Sequence, residues 1–87
     1  MSVKFDVIAW QQYCKWQQQD RKTLKRINAL ITSLQRNGQE SIGKVEKLRG
    51  NLSGLYSARI DAKNRLVFMF VEQDVVIISC SGHNSPQ

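Results

Sequence analysis

Eighty-seven residues suffice for one domain, residues 1–87, with a small core, and are too few to enclose a deep substrate cavity. Thirteen Lys and Arg against seven Asp and Glu give a net charge of +6, a balance that favours polyanions by counterion release, nucleic acid before an anionic membrane. The two cysteines, Cys14 and Cys80, have no CxxC spacing and only one histidine is present, which argues against a metal site and for buried free thiols in a reducing compartment.

Val3 to Val7 alternates apolar with polar residues and predicts a short first strand. Helical spacing follows, with Trp10, Tyr13, Cys14 and Gln17 on one stripe and Trp16 beside it. Core packing is the preferred role for these aromatics, ahead of stacking on bases. Asp20 is a good N-cap for a second helix, in which Leu24, Ile27, Leu30, Ile31 and Leu34 form the expected buried stripe. Arg21, Lys22, Lys25 and Arg26 crowd the start of that helix, where cations oppose its dipole. A polyanionic partner would explain them, and so would a solvated face.

Asn37-Gly38 ends the second helix. Strands are expected around Val45 to Leu48, Leu55 to Asp61, Arg65 to Glu72 and Asp74 to Ser81, with hairpin connections at Asp61–Asn64 and Glu72–Asp74. Arg65 to Val71 is apolar at nearly every position after the arginine, as in a central strand covered on both faces. This order predicts an α+β fold: an N-terminal strand and two helices packed on one face of a twisted, mainly antiparallel sheet, with the other face open to ligand. The longest run of purely aliphatic residues in the last strand is Val75 to Ile78, far short of a membrane span, and the start of the chain lacks the apolar segment of a signal peptide. A cytoplasmic protein is expected, with no membrane partner and no cofactor.

The open face carries the residues suited to phosphodiester chemistry. Cleavage of RNA without a metal uses the 2′-hydroxyl as internal nucleophile, and needs a base, cations for the pentavalent transition state and an acid for the 5′-oxygen. Glu46 suits the base, Arg59 and Arg65 suit bidentate phosphate clamps, and His83, the only histidine, suits the acid. A three-residue loop at Asp61 to Lys63 would set Arg59 beside Arg65. A one-residue turn at Gln73 would set Arg65 beside Ser81, one pleat from His83. Each residue also has a plainer reading: Glu46 paired with a neighbouring lysine, the arginines as sheet-face charges, His83 as an exposed spectator.

Six motifs carry a resemblance that spans nearly the whole chain: W-x-x-Y-x-x-W-Q at Trp10–Gln17, G-K-x-E-x-L at Gly43–Leu48, N-L-S-G at Asn51–Gly54, S-x-R-I at Ser57–Ile60, R-L-V at Arg65–Val67 and C-x-x-H at Cys80–His83. With them the chain resembles the YoeB/Txe group of the RelE-like bacterial toxins. The resemblance implies a RelE-like fold and a ribosome-dependent messenger-RNA endonuclease that cuts in the A site. It also implies neutralisation by a YefM- or Axe-like antitoxin and a tendency to form homodimers. By position it makes Glu46 the general base, His83 the general acid and Arg59 and Arg65 phosphate ligands, and it turns Arg21, Lys22, Lys25 and Arg26 toward ribosomal RNA. The family usually has tyrosine after the histidine, where this chain has Asn84. That departure predicts an attenuated nuclease, with a non-catalytic ribosome- or antitoxin-binding module as the alternative.

Overall fold

The computed structural model describes residues 1–82. Its elements run β1 (Ser2–Phe5), α1 (Val7–Gln19), α2 (Arg21–Asn37), β2 (Glu46–Lys47), β3 (Tyr56–Arg59), β4 (Arg65–Val71) and β5 (Asp74–Ser79). The five strands form one sheet in the order β1-β5-β4-β3-β2. All pairings are antiparallel except the outermost, where β1 runs parallel to β5. A parallel pair needs a long crossover, and everything between β1 and β5 supplies it.

Both helices cover one face of this sheet. Ala9 from α1 and Ile27, Leu30 and Leu34 from α2 are buried against Ala58, Leu66, Phe68, Val75 and Ile77. Full burial of a side chain such as Ile27 or Phe68 contributes about 1.5–3 kcal/mol. Asp20 caps α2 as expected: its carboxylate accepts from the backbone N–H groups of Lys22 and Thr23 and from the Thr23 hydroxyl. Those hydrogen bonds, the Thr23 hydroxyl first, hold the Asp20 carboxyl below the usual carboxylate range. Gly38, at φ +58°, closes the helix by returning its N–H to the Leu34 carbonyl.

The α1 stripe is rotated from the expected one. Ala9 is its fully buried residue, with Tyr13 and Trp16 partly buried at the following turns, whereas Trp10 and Gln17 are exposed. The fully buried residue is a small one, and a pattern weighted by aromatic size points away from it.

The β4–β5 hairpin also differs. Its turn has two residues, Glu72 and Gln73, with Val71 opposite Asp74. A bulge then intervenes: Phe68 faces Ile77, but Val67 faces Ser79, leaving Ile78 as the extra residue. The inserted residue shifts the register by one, back to the offset that a one-residue turn would have given. β4 is the central strand, as its apolar run predicts, and Val67 on the open face is buried.

Between α2 and β2 the chain passes very close to the helix. At Gly43, φ is +93°, and a Cβ there would stand 2.6 Å from Leu30 Cδ2 and 3.3 Å from Ala58 Cβ. The Gly43 carbonyl accepts the Arg59 N–H at 2.8 Å, tying this segment to the end of β3. Gly43→Ala is therefore expected to lower the unfolding free energy by about 2–5 kcal/mol, combining overpacking with left-handed backbone strain. Urea denaturation measures it, and an unchanged midpoint would contradict the close approach.

Candidate ribonuclease face

The open face is built by cross-strand pairing. Glu46 on β2 lies opposite Ser57 on β3, and Arg59 on β3 lies opposite Arg65 on β4. Ser57 and Arg59 are two residues apart on one strand, so all four side chains share one face. The Arg59–Arg65 pairing follows from the connection between them. Asp61 Oδ1 accepts from the N–H groups of Lys63 and Asn64, and the Asn64 carbonyl accepts from Ile60 and Asp61. Burial pushes the Asp61 carboxyl up, but the hydrogen bonds from Lys63 and Asn64 outweigh it and leave the carboxyl below its ordinary value.

Two like charges directly opposite each other destabilise a sheet, and the arrangement compensates. Arg65 Nη2 lies 3.3 Å from Glu46 Oε1, and Arg65 Nε donates to Ser57 Oγ at 3.1 Å. Ser57 is 3 % exposed, so its hydroxyl acts as a fixed stop for the guanidinium. The Glu46 side chain remains 65 % exposed, leaving its carboxylate accessible from solvent. Among the described residues no hydrogen bond or ion pair occupies the Arg59 guanidinium. The face thus offers one accessible carboxylate, one oriented guanidinium and a second cation beside it.

The last described residues are held firmly. After β5, the Cys80 N–H donates to Gln12 Oε1 at 2.6 Å, and the Cys80 carbonyl accepts from Trp16 Nε1 at 2.9 Å. Gly82 donates its N–H to Asn64 Oδ1 at 2.8 Å and accepts the Arg65 N–H on its carbonyl at 3.0 Å. The chain is thereby carried to the start of β4, beside the arginine pair. His83 and Asn84 lie outside the described residues.

Of the residues expected from sequence, Glu46, Arg59 and Arg65 are brought together. Arg21, Lys22 and Lys25 are exposed at the start of α2, with Arg21, Lys22 and Lys25 lining a shallow depression beside Gln17 and Leu24. Arg26 is partly buried, and its Nη2 donates to the Arg59 carbonyl at 3.1 Å, so it has a structural partner in the site strand. Sequence reasoning missed Ser57 and Asn64 as contributors, and also Lys47 and Arg49, which line an open depression together with Glu46. Ser57 stood in the S-x-R-I motif two residues before Arg59, and that alternation was the available signal. Among the described residues no group of three or more His, Cys, Asp or Glu is placed to hold a metal ion. No helix there is long and apolar enough to cross a membrane.

Fold and face together define a small basic α+β domain with one carboxylate and two arginines grouped on its open sheet. The profile of the family described as "YoeB-like toxin of bacterial type II toxin-antitoxin system" matches residues 5–84. Toxin YoeB of Synechocystis is 45% identical over 83 residues, covering 95% of this chain and 96% of that protein. The structure of the YoeB dimer from Staphylococcus aureus superposes with a TM-score of 0.88 at 42% identity, covering 97% of this chain and 98% of that one. A YoeB–YefM complex from the same organism gives a TM-score of 0.88 at 41% identity, with coverage of 97% and 98%. The chain belongs to the YoeB-like toxins of bacterial type II toxin-antitoxin systems, and its fold is RelE-like.

Cys80 packs without exposure, its Sγ 3.7 Å from the Ala9 carbonyl, and burial pushes its thiol up to about 11. At pH 8 only about a thousandth of such a thiol is the reactive thiolate. Iodoacetamide on the native protein is expected to label Cys14 and spare Cys80 until the chain is unfolded. Labelling of both at similar rates would contradict the anchoring of this segment on α1.

Proposed function

We propose that the protein is a ribosome-dependent, metal-independent endoribonuclease that cuts messenger RNA in the A site. The observation that carries this reading is the convergence of Glu46, Arg59 and Arg65 on one open face, with Gly82 held beside them. Glu46 takes the proton of the 2′-hydroxyl, the 2′-oxygen bonds to phosphorus, and Arg59 and Arg65 stabilise the charge on the non-bridging oxygens. The bond from phosphorus to the 5′-oxygen breaks, and His83 supplies that oxygen's proton. An incoming phosphate competes with Glu46 for the Arg65 guanidinium. It therefore frees the carboxylate as it binds, while Ser57 keeps the guanidinium in place. The face is shallow and its carboxylate lies in open solvent, so the A site is proposed to complete the substrate pocket and to exclude water. The exposed cations Arg21, Lys22 and Lys25 supply a surface for ribosomal RNA.

The proposed partners are a YefM- or Axe-like antitoxin and a second copy of the chain, in a cytoplasmic setting. The S. aureus YoeB–YefM complex and YoeB dimer support both. So does the apolar surface at the start of α1, where Val7, Ile8 and Trp10 are at least half exposed.

Primer extension on a translated message, with and without the protein, tests the reading: new 5′ ends should appear only when translation is active. Glu46→Gln, Arg65→Ala and His83→Gln should each slow cleavage, by about 10²–10⁴ for the acid or the base, with the fold intact by circular dichroism. Parent-like single-turnover rates in His83→Gln would remove it from the acid's role.

Asn84 in place of the family's tyrosine supports an attenuated enzyme. A tyrosine can stack on a base, an interaction of about 1–3 kcal/mol, and asparagine has no ring. Asn84→Tyr is expected to raise the single-turnover rate on programmed ribosomes roughly tenfold to a hundredfold, if the whole stacking energy is expressed in the transition state. Equal rates would make the asparagine neutral.

A further inference from the structure

Ser57 stands at the centre of the open-face cluster. It lies opposite Glu46 on β2 and opposite Val67 on β4, two residues before Arg59 and diagonal to Arg65. Side chains directly opposite each other in such a sheet have Cβ atoms ~4.5–5.5 Å apart, and diagonal neighbours stay within reach of a long side chain. An anion held by both arginines beside Glu46 therefore rests over Ser57.

The Arg65 guanidinium directs where its oxygens go. Its Nε and Nη2 donors point the same way along one edge of the planar fork, the edge that takes two oxygens side by side. Two different residues fill that edge: Ser57 Oγ stands 3.1 Å from Nε, and Glu46 Oε1 stands 3.3 Å from Nη2. Ser57 is buried and the Glu46 side chain is exposed, so the two positions differ in permanence. The exposed carboxylate can yield its place to a phosphate oxygen, while the buried hydroxyl keeps its own. The incoming oxygen then stands beside Ser57 Oγ on the same edge.

A serine hydroxyl has one hydrogen and two lone pairs. Here one lone pair takes the Arg65 Nε–H, and among the described residues the Ser57 hydroxyl has no other partner. A buried donor left unused costs free energy. Two bare acceptors placed side by side repel, whereas an acceptor that carries a hydrogen can donate it to its neighbour.

We propose that Ser57 is itself a substrate-contacting residue: while it accepts from Arg65 Nε, its hydroxyl donates to the non-bridging phosphate oxygen that replaces Glu46 on Arg65 Nη2. The proposal rests on the ribonuclease reading and adds to it a third donor, neutral and buried, beside the two arginines. Negative charge grows on the non-bridging oxygens as the 2′-oxygen attacks, so this bond strengthens in the transition state and accelerates the reaction.

The test is single-turnover cleavage on programmed ribosomes whose message carries either phosphorothioate diastereomer at the cut linkage, each compared with the all-oxygen message. Sulfur accepts a hydrogen bond less well than oxygen. The parent should therefore be slowed more by the diastereomer with sulfur at the contacted position. Alanine at residue 57 is smaller than serine and leaves the backbone bonds of β3 untouched. Ser57→Ala should cut the all-oxygen message about 10²-fold more slowly, the scale of one lost oxyanion donor. In Ser57→Ala the penalty of the more sensitive diastereomer should shrink, while the penalty of the other stays as in the parent.

A serine that only held Arg65 in place would, when removed, slow all three messages by one factor and leave both sulfur penalties unchanged. That result would overturn the proposal, as would penalties that shrink equally for both diastereomers. A parent that cuts no message overturns the ribonuclease reading and this role with it, whereas a parent that cuts beside a Ser57→Ala of equal rate overturns this role alone.

Discussion

Arg65 is the residue on which the site depends. Its backbone N–H holds the Gly82 carbonyl, its Nε rests on the buried Ser57 hydroxyl, its Nη2 reaches Glu46, and across the strand it faces Arg59. A guanidinium has donors in a fixed plane, so engaging Nε and one Nη fixes the plane and leaves the remaining donors directed. Few residues could tie three strands and the segment after β5 together in this way. Lysine would supply the charge without the fork.

The core makes this possible by keeping the opposite face closed. Ile27, Leu30 and Leu34 on α2 and Ala9 on α1 take the apolar side of β3, β4 and β5, leaving the polar side without cover. The close approach at Gly43 then brings the segment before Glu46 down onto Leu30 and Ala58, and its carbonyl takes the Arg59 N–H. Packing on one face thus sets the spacing of charges on the other. The edges are managed separately. β1 covers β5 on one side, with a Lys4–Asp74 ion pair at 3.0 Å, and the two-residue β2 ends the sheet on the other.

Much of this was legible in the sequence for identifiable reasons. α2 has a cap, a clean apolar period and a glycine stop, so its start, stripe and end all follow. The Arg59–Arg65 pairing was one of the registers open to the sequence, chosen because it brings the two arginines together, and the structure has it. The orientation of α1 did not follow, because its fully buried residue is an alanine while its large aromatics are only partly buried or exposed. The β4–β5 register was reached through the wrong turn: a two-residue connection and a bulge at Ile78 together give the offset that a one-residue turn predicted. Ser57 was readable only through its alternation with Arg59, and Asn64 not at all, since a hydroxyl and an amide declare no chemistry until their partners are known. The parallel pairing of β1 with β5 depends on tertiary packing that alternation cannot reveal.

In the proposed reaction the 2′-hydroxyl attacks, with Glu46 as its base and the arginines around the phosphate. The most direct measurement uses programmed ribosomes carrying a message with a single 2′-deoxy residue at the cut position. The parent protein should leave this message uncut there and cleave the all-ribose message to a 2′,3′-cyclic phosphate and a 5′-hydroxyl. Cleavage of the deoxy message at the same rate would contradict it.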